Sequence, residues 1–260
     1  MAVWGPDAPV RESATADADI AAPRPAERWI DIPLVPLIAS GLPALAISAG
    51  AISGTQFGGG IFSNYALYVA MAGFYLSVLA AIAFLLILRG KRVGRVFLAR
   101  GSAVWTYVAV PAGMLMAIGA GWLLTLLPDA LQQEMMEKNE ALQPGTFGEA
   151  ISLLVIVAVL APLAEEIYFR GIMLRVFGRH VPFAVSAVLT AILFSLVHGH
   201  LFPVPGQSGI VLTGILFILG VILALFAHAG KSLRAPVAMH AAYNATLTLP
   251  GVYMLLTAQT

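Results

Sequence analysis

Seven apolar runs, separated by short polar stretches, follow one another along the chain from residue 33 to residue 256. Six of them are typical of helices that cross a hydrocarbon core of about 30 Å. The fourth run has only 14 residues and would reach about 21 Å as a helix. This pattern predicts an all-α, polytopic membrane helix bundle of about seven spans. The runs are 33–53, 64–88, 103–127, 151–164, 183–197, 210–229 and 235–256.

Composition supports the same class. Hydrophobic residues make up 60% of the chain and charged residues 10%, whereas soluble domains carry about 25% charged residues. The net charge of +1 gives no indication of a nucleic-acid partner. The absence of cysteine from the sequence excludes disulfides, thiolate zinc sites and a cysteine nucleophile. An alanine-rich, cysteine-free chain with a polar N-terminal tail indicates a bacterial cytoplasmic membrane protein.

The chain divides into three parts. Residues 1–31 are polar and proline-containing, and we expect them to form a disordered cytoplasmic tail. Residues 32–148 hold spans one to three, followed by a polar outer segment whose middle, 130–142, predicts a short surface helix. Residues 149–260 hold the remaining spans and almost all of the candidate chemistry.

Basic residues fall on one side of the predicted membrane. They occupy the loops after spans two, four and six, whereas the opposite loops contain only Lys138. The positive-inside rule therefore predicts a cytoplasmic N-terminus and a C-terminus outside. The basic loop residues are Arg89, Lys91, Arg92, Arg95, Arg100, Arg175, Arg179, Lys231 and Arg234.

Three charges lie at the end of the short fourth run. A helix that stopped at Glu165 could not cross the membrane, but apolar residues continue to Phe177. From Glu149 to Phe177 the segment has 29 residues, roughly 43 Å of helix. The longer helix places Glu165, Glu166 and Arg170 inside the membrane, where a charge costs about 2.5–3.5 kcal/mol and suggests function.

Helical spacing separates the two glutamates. Glu166 and Arg170 lie at i,i+4 and are expected to form an ion pair on one face. Glu165 points about 100° away and is left free for chemistry. The alternative is a cluster of snorkelling charges at the cytoplasmic interface.

Polar residues on two further spans can join this group. His198 ends span five, and His240 and Asn244 share one face of span seven. Depths counted from the cytoplasmic ends are roughly 20 Å for Glu165, 24 Å for His198, 15 Å for Asn244 and 9 Å for His240. On this count His240 and Asn244 are shallow. We expect the other histidines at surfaces or helix ends: His180, His200 and His228.

The missing motifs narrow the chemistry. The sequence has no His-Glu-x-x-His helix, no Gly-x-Ser-x-Gly elbow and no aspartate in any predicted span. Glu165 as general base, helped by His198, would activate a water towards a carbonyl. His240 and Asn244 would donate to the oxyanion. A zinc ion held by Glu165, His198 and His240 is the alternative.

Three motifs in order resemble the CPBP intramembrane proteases, which include type II CAAX prenyl endopeptidases and relatives linked to bacteriocin processing and immunity. They are Glu165-Glu166-x-x-x-Arg170, Phe194-x-x-x-His198 and His240-x-x-x-Asn244, and the likeness covers roughly residues 149–258. The resemblance implies peptide-bond hydrolysis in a membrane cavity between spans four, five and seven. It also implies the same roles for Glu165, His198, His240 and Asn244, with Glu166 and Arg170 as the remaining motif residues.

We therefore predict an endopeptidase that acts on a membrane-associated protein or peptide in contact with membrane lipid. No prenylated substrate is assigned, and a metal-independent glutamate mechanism is favoured over a zinc-assisted one. Two other interpretations stay open: a non-catalytic scaffold or immunity factor that uses the cavity for binding, and a small transporter with Glu165 as its proton site.

Overall fold

The computed structural model describes residues 28–40, 62–89, 101–139, 144–198 and 207–257, and every element within these ranges is helical. This confirms the all-α prediction. The helices are α1 (Asp31–Ser40), α2 (Phe62–Leu88), α3 (Ala103–Thr125), α4 (Asp129–Asn139), α5 (Phe147–Phe177), α6 (Phe183–Val197), α7 (Gln207–Gly230) and α8 (Arg234–Thr257).

Among the described residues, four helices are long and apolar enough to cross a membrane: α2, α3, α5 and α7. In α2 the qualifying stretch is Tyr68–Leu88. Helices α1 and α6 are apolar but shorter, and α8 has 24 residues but includes polar side chains such as His240 and Asn244. The protein is thus an integral membrane helix bundle, while the count of seven spans stays a prediction.

The N-terminal segments are described only in part. Residues 1–27 of the predicted tail and 41–53 of the first run lie outside the described residues. Asp31 begins α1, and its buried carboxylate accepts hydrogen bonds from Arg89 at 2.5 and 2.7 Å. Trp29 donates to His180 at 3.1 Å. The end of the predicted tail is therefore tied to the bundle.

Helix α5 begins with a capping box. Thr146 accepts from the backbone N–H of Glu149, whose side chain accepts in return from the backbone N–H of Thr146. This reciprocal pair satisfies two amides that have no partner within the helix. The helix starts at Phe147, two residues before the predicted start, and continues past the glutamates to Phe177. The longer of the two predicted helices is therefore the one that forms.

Two stretches of α5 have π-helical hydrogen bonding, Ile156–Leu160 and Ile167–Met173. The first ends two residues before Pro162, which has no N–H to donate. π-Segments within α-helices occur often at functional sites. Here they lie on either side of the two glutamates.

Helix α5 lies between two apolar clusters. Ala164 and Ile172 pack with residues of α1 and α2, including Val35 and Ile82. Phe169, also on α5, packs in a second cluster with residues of α3, α6, α7 and α8. Side chains on opposite faces of α5 therefore face different neighbours, and the glutamates lie where these two environments meet.

Candidate active site

The two glutamates of α5 occupy different surroundings. The Glu166 side chain is fully buried, whereas that of Glu165 is 13% exposed and lines a cavity. Adjacent residues of a helix point about 100° apart, so one carboxylate faces the protein interior while the other reaches open space. This is the separation that the sequence predicted.

A buried ion pair holds Glu166. Nη1 of Arg170 donates to Oε1 of Glu166 at 2.8 Å, and Nη2 donates to the carbonyl of Gly220 on α7 at 3.0 Å. The guanidinium also lies over the ring of Phe194, 4.6 Å from its centroid. Both charged side chains are fully buried. The alternative of snorkelling interfacial charges is therefore wrong for this pair.

His240 links the two glutamates. Its Nδ1 lies 2.9 Å from Oε1 of Glu166, and its Nε2 lies 3.8 Å from Oε2 of Glu165. Because the ionised Glu166 carboxylate can only accept, Nδ1 carries the proton of that hydrogen bond. The carboxylate thus fixes both the orientation of the imidazole and the nitrogen that faces Glu165.

The shallow depth counted for His240 and Asn244 is wrong, because both line the same cavity as Glu165. The count took Arg234 as the membrane surface, but its neighbours Leu233 and Ala235 are fully buried. The start of α8 is therefore packed against the bundle, although the side chain of Arg234 itself is exposed. The count for Glu165 also crossed a π-segment, whose wider turns give less length per residue.

His198 caps the end of α6. Its Nδ1 lies 2.7 Å from the carbonyl oxygen of Phe194, which accepts only, so Nδ1 must carry a hydrogen. In the neutral ring Nε2 is then a bare acceptor. It lies 3.8 Å from Oε2 of Glu165, too far for a direct hydrogen bond.

Asn244 satisfies a backbone group that the π-segment leaves free. Ala161 donates its N–H to Ile156, so the carbonyl of Val157 would need the N–H of residue 162, which is a proline. Nδ2 of Asn244 donates to that carbonyl at 2.6 Å. This contact fixes which end of the amide is nitrogen and leaves its second N–H available.

One cavity of about 350 Å³ brings together Glu165, His198, His240 and Asn244. The four come from α5, α6 and α8, the predicted spans four, five and seven. Helices α2, α3 and α7 also line it, and α7 does so with apolar side chains such as Leu212. The site therefore combines a polar end with largely apolar walls.

The histidines that the sequence places at surfaces or helix ends do not belong to this site in the part of the chain that the structure describes. His180 follows α5 and contacts Trp29, and His228, near the end of α7, stacks on Phe183 with ring centroids 4.1 Å apart. His200 lies outside the described residues. Neither described ring lines the cavity.

Zinc was the alternative for Glu165, His198 and His240. Within the part of the chain that the structure describes, no three histidine or carboxylate side chains are arranged to hold a metal ion. The Nε2 atoms of His198 and His240 each lie 3.8 Å from Oε2 of Glu165. The choice between a metal-independent and a zinc-assisted mechanism stays a prediction.

Comparison with known proteins identifies the same region. Residues 147–246 match the family model described as type II CAAX prenyl endopeptidase Rce1-like. The match covers 100 of the 260 residues and supports a CPBP family intramembrane protease. No curated protein and no solved structure matches this chain. In general terms, the match supports an intramembrane CAAX-type endopeptidase, which implies membrane lipid and a protein or peptide substrate as partners.

Sequence reasoning missed Tyr75, whose hydroxyl donates to Oε1 of Glu165 at 3.0 Å. One signal was present in the sequence. Leu88 is the cytoplasmic end of the second predicted span, and Tyr75 lies 13 residues before it. Glu165 likewise lies 13 residues before Gly178, the cytoplasmic end of its own helix. The same depth count applied to the second span would have brought the two side chains to one level. Pro162 indicates a free carbonyl in the preceding turn of the helix, but only the π-helical register assigns it to Val157, and that register cannot be read from the sequence.

Proposed function

We propose that this protein hydrolyses a peptide bond of a membrane-associated substrate, with Glu165 and His198 activating the attacking water. The proposal rests on one observation. Oε2 of Glu165 lies 3.8 Å from Nε2 of His198 and 3.8 Å from Nε2 of His240, and these three residues line one cavity. Acceptors separated by this distance suit a single bridging water.

The water would donate one hydrogen to Oε2 of Glu165 and the other to Nε2 of His198. Its lone pair then attacks the carbonyl carbon while Glu165 takes the first proton, which gives a tetrahedral intermediate with a negative oxygen. When the C–N bond breaks, Glu165 returns that proton to the leaving amine. The products are a carboxylic acid and an amine, and the protein ends unchanged.

His240 and Asn244 would stabilise the negative oxygen. Asn244 has one N–H beyond the bond to Val157. Nδ1 of His240 is committed to Glu166, so Nε2 can donate only when the ring carries both protons.

The test is cleavage by the purified chain in liposomes. Suitable probes are internally quenched peptides with a farnesylated CAAX end, together with their unprenylated counterparts. Glu165→Gln is expected to lower kcat by about 10²–10⁴-fold, the usual range for loss of a general base. Asp129→Asn, the corresponding change at an exposed acid on α4, is the matched control and should behave as wild type.

Each outcome separates the alternatives. Cleavage that survives Glu165→Gln would refute the proposed mechanism. A folded wild-type chain that binds both peptide sets and cleaves neither would favour the scaffold alternative. Cleavage that withstands 1,10-phenanthroline supports the metal-independent mechanism, whereas loss that zinc restores would contradict it. Cleavage of only the farnesylated peptides would identify the substrate class.

A further inference from the structure

Helix α2 contributes a side chain to the polar end of the cavity. The hydroxyl of Tyr75 donates to Oε1 of Glu165 at 3.0 Å, and the ring lines the cavity wall. Tyr75 lies outside residues 147–246, the part that matches the Rce1-like family. The family match therefore says nothing about this contact.

This hydrogen bond makes the two oxygens of Glu165 different. Oε1 is occupied by the Tyr75 hydroxyl, whereas Oε2 is buried and has no hydrogen-bond partner among the described residues. It is Oε2 that lies 3.8 Å from both imidazoles. A carboxylate left without the Tyr75 bond would rotate freely and present either oxygen.

We propose that Tyr75 is a positioning residue for the reaction, holding Glu165 so that Oε2 faces the water. The inference rests on the proposed role of Glu165. Tyrosine suits the task because its rigid ring has few rotatable bonds. The ring also packs against the apolar cluster that joins α2 to α5, so its hydroxyl is held in place from behind.

The first experiment removes only the hydroxyl. Tyr75→Phe keeps the ring, and it is expected to lower kcat by about 10–100-fold, the worth of a hydrogen bond to a charged group. KM should stay unchanged, because the contact is to the catalytic base. The matched control is Tyr168→Phe, which also deletes a bonded hydroxyl, but one that donates to the backbone of Ile32. Its kcat is expected to equal that of wild type.

The second experiment does not depend on activity. The chain has seven tyrosines, which 3-fluorotyrosine labels for ¹⁹F NMR. The other six resonances are assigned by single replacements with phenylalanine, and the resonance of Tyr75 is then assigned by elimination. Glu165→Gln is expected to move the resonance of Tyr75 and to leave that of Tyr168 in place. A Tyr75 resonance that does not move would overturn the proposal even if Tyr75→Phe failed to fold.

The failures can be told apart. If Tyr75→Phe cleaves at the wild-type rate while Glu165→Gln is inactive, the positioning role is wrong and the proposed function stands. If Tyr75→Phe raises KM and leaves kcat intact, the hydroxyl contacts substrate instead and the proposal is overturned. If Glu165→Gln still cleaves, the proposed function fails, and the role of Tyr75 fails with it.

Discussion

A single methyl group on α3 should displace His240. A β-carbon built on Gly113 would lie 2.2 Å from the carbonyl oxygen of Met239 and 3.1 Å from the side chain of Ala242, both on α8. Because real β-carbons do not approach closer than 3.0 Å, Gly113→Ala must push the helices apart by about 0.8 Å. The displaced backbone is the residue that immediately precedes His240.

The expected consequences are large for so small a change. A misplacement of about 1 Å in a catalytic constellation can cost about 10²-fold in rate, and overpacking a core typically costs about 1–3 kcal/mol. We therefore expect Gly113→Ala to lower kcat by about 10–100-fold. We also expect it to lower the free energy of unfolding by about 1–3 kcal/mol. The measurements are cleavage of a quenched peptide in liposomes and unfolding of the purified chain in detergent.

Gly119 offers a matched control on the same helix. A β-carbon there meets nothing within 4 Å, so Gly119→Ala should keep full activity and gain up to about 1 kcal/mol of helix stability. If Gly113→Ala matched Gly119→Ala in both rate and stability, the close approach of α3 and α8 would not position His240. A loss of stability without a loss of rate would refute the catalytic half of the reasoning alone.

Three further predictions test other parts of the molecule. Arg170→Met leaves Glu166 buried without its ion partner and should destabilise the chain by about 3–5 kcal/mol, measured by unfolding in detergent. Adding Glu166→Gln to this variant should restore much of that loss. Losses of stability that simply add in the double variant would contradict the ion pair. Thr146→Ala removes half of the capping box and should cost about 1 kcal/mol by the same measurement, whereas Thr146→Ser should cost far less; equal losses would exclude the cap. In the cysteine-free chain, a membrane-impermeant maleimide should label Asp129→Cys in intact cells and Arg179→Cys only after permeabilisation, and the reverse pattern would invert the predicted topology.

Much of the fold could be predicted because its causes are local. The length and apolar character of a run are sufficient to indicate a membrane helix, as they do for α2, α3 and α7. The ion pair of Glu166 with Arg170 follows from helical spacing alone. The continuation of α5 beyond Glu165 followed from the apolar residues after the motif, because a helix that stopped there would be too short.

The level of His240 could not be predicted in this way. Counting residues from Arg234 measures distance along one helix, but it does not reveal where that helix begins. Burial of the turn at Leu233 depends on how α3, α7 and α8 pack, and no single stretch of sequence contains that information.

The sequence by itself determined that this is a polytopic helix bundle whose chemistry lies with the few charges its apolar spans retain. Hydropathy and helical period are properties of neighbouring residues, so they can be counted along the chain. Only the tertiary structure decided that Tyr75 occupies one oxygen of Glu165 and that Asn244 meets the free carbonyl of Val157. Those contacts join residues 90 and 87 positions apart, and their distances are set by the packing of whole helices.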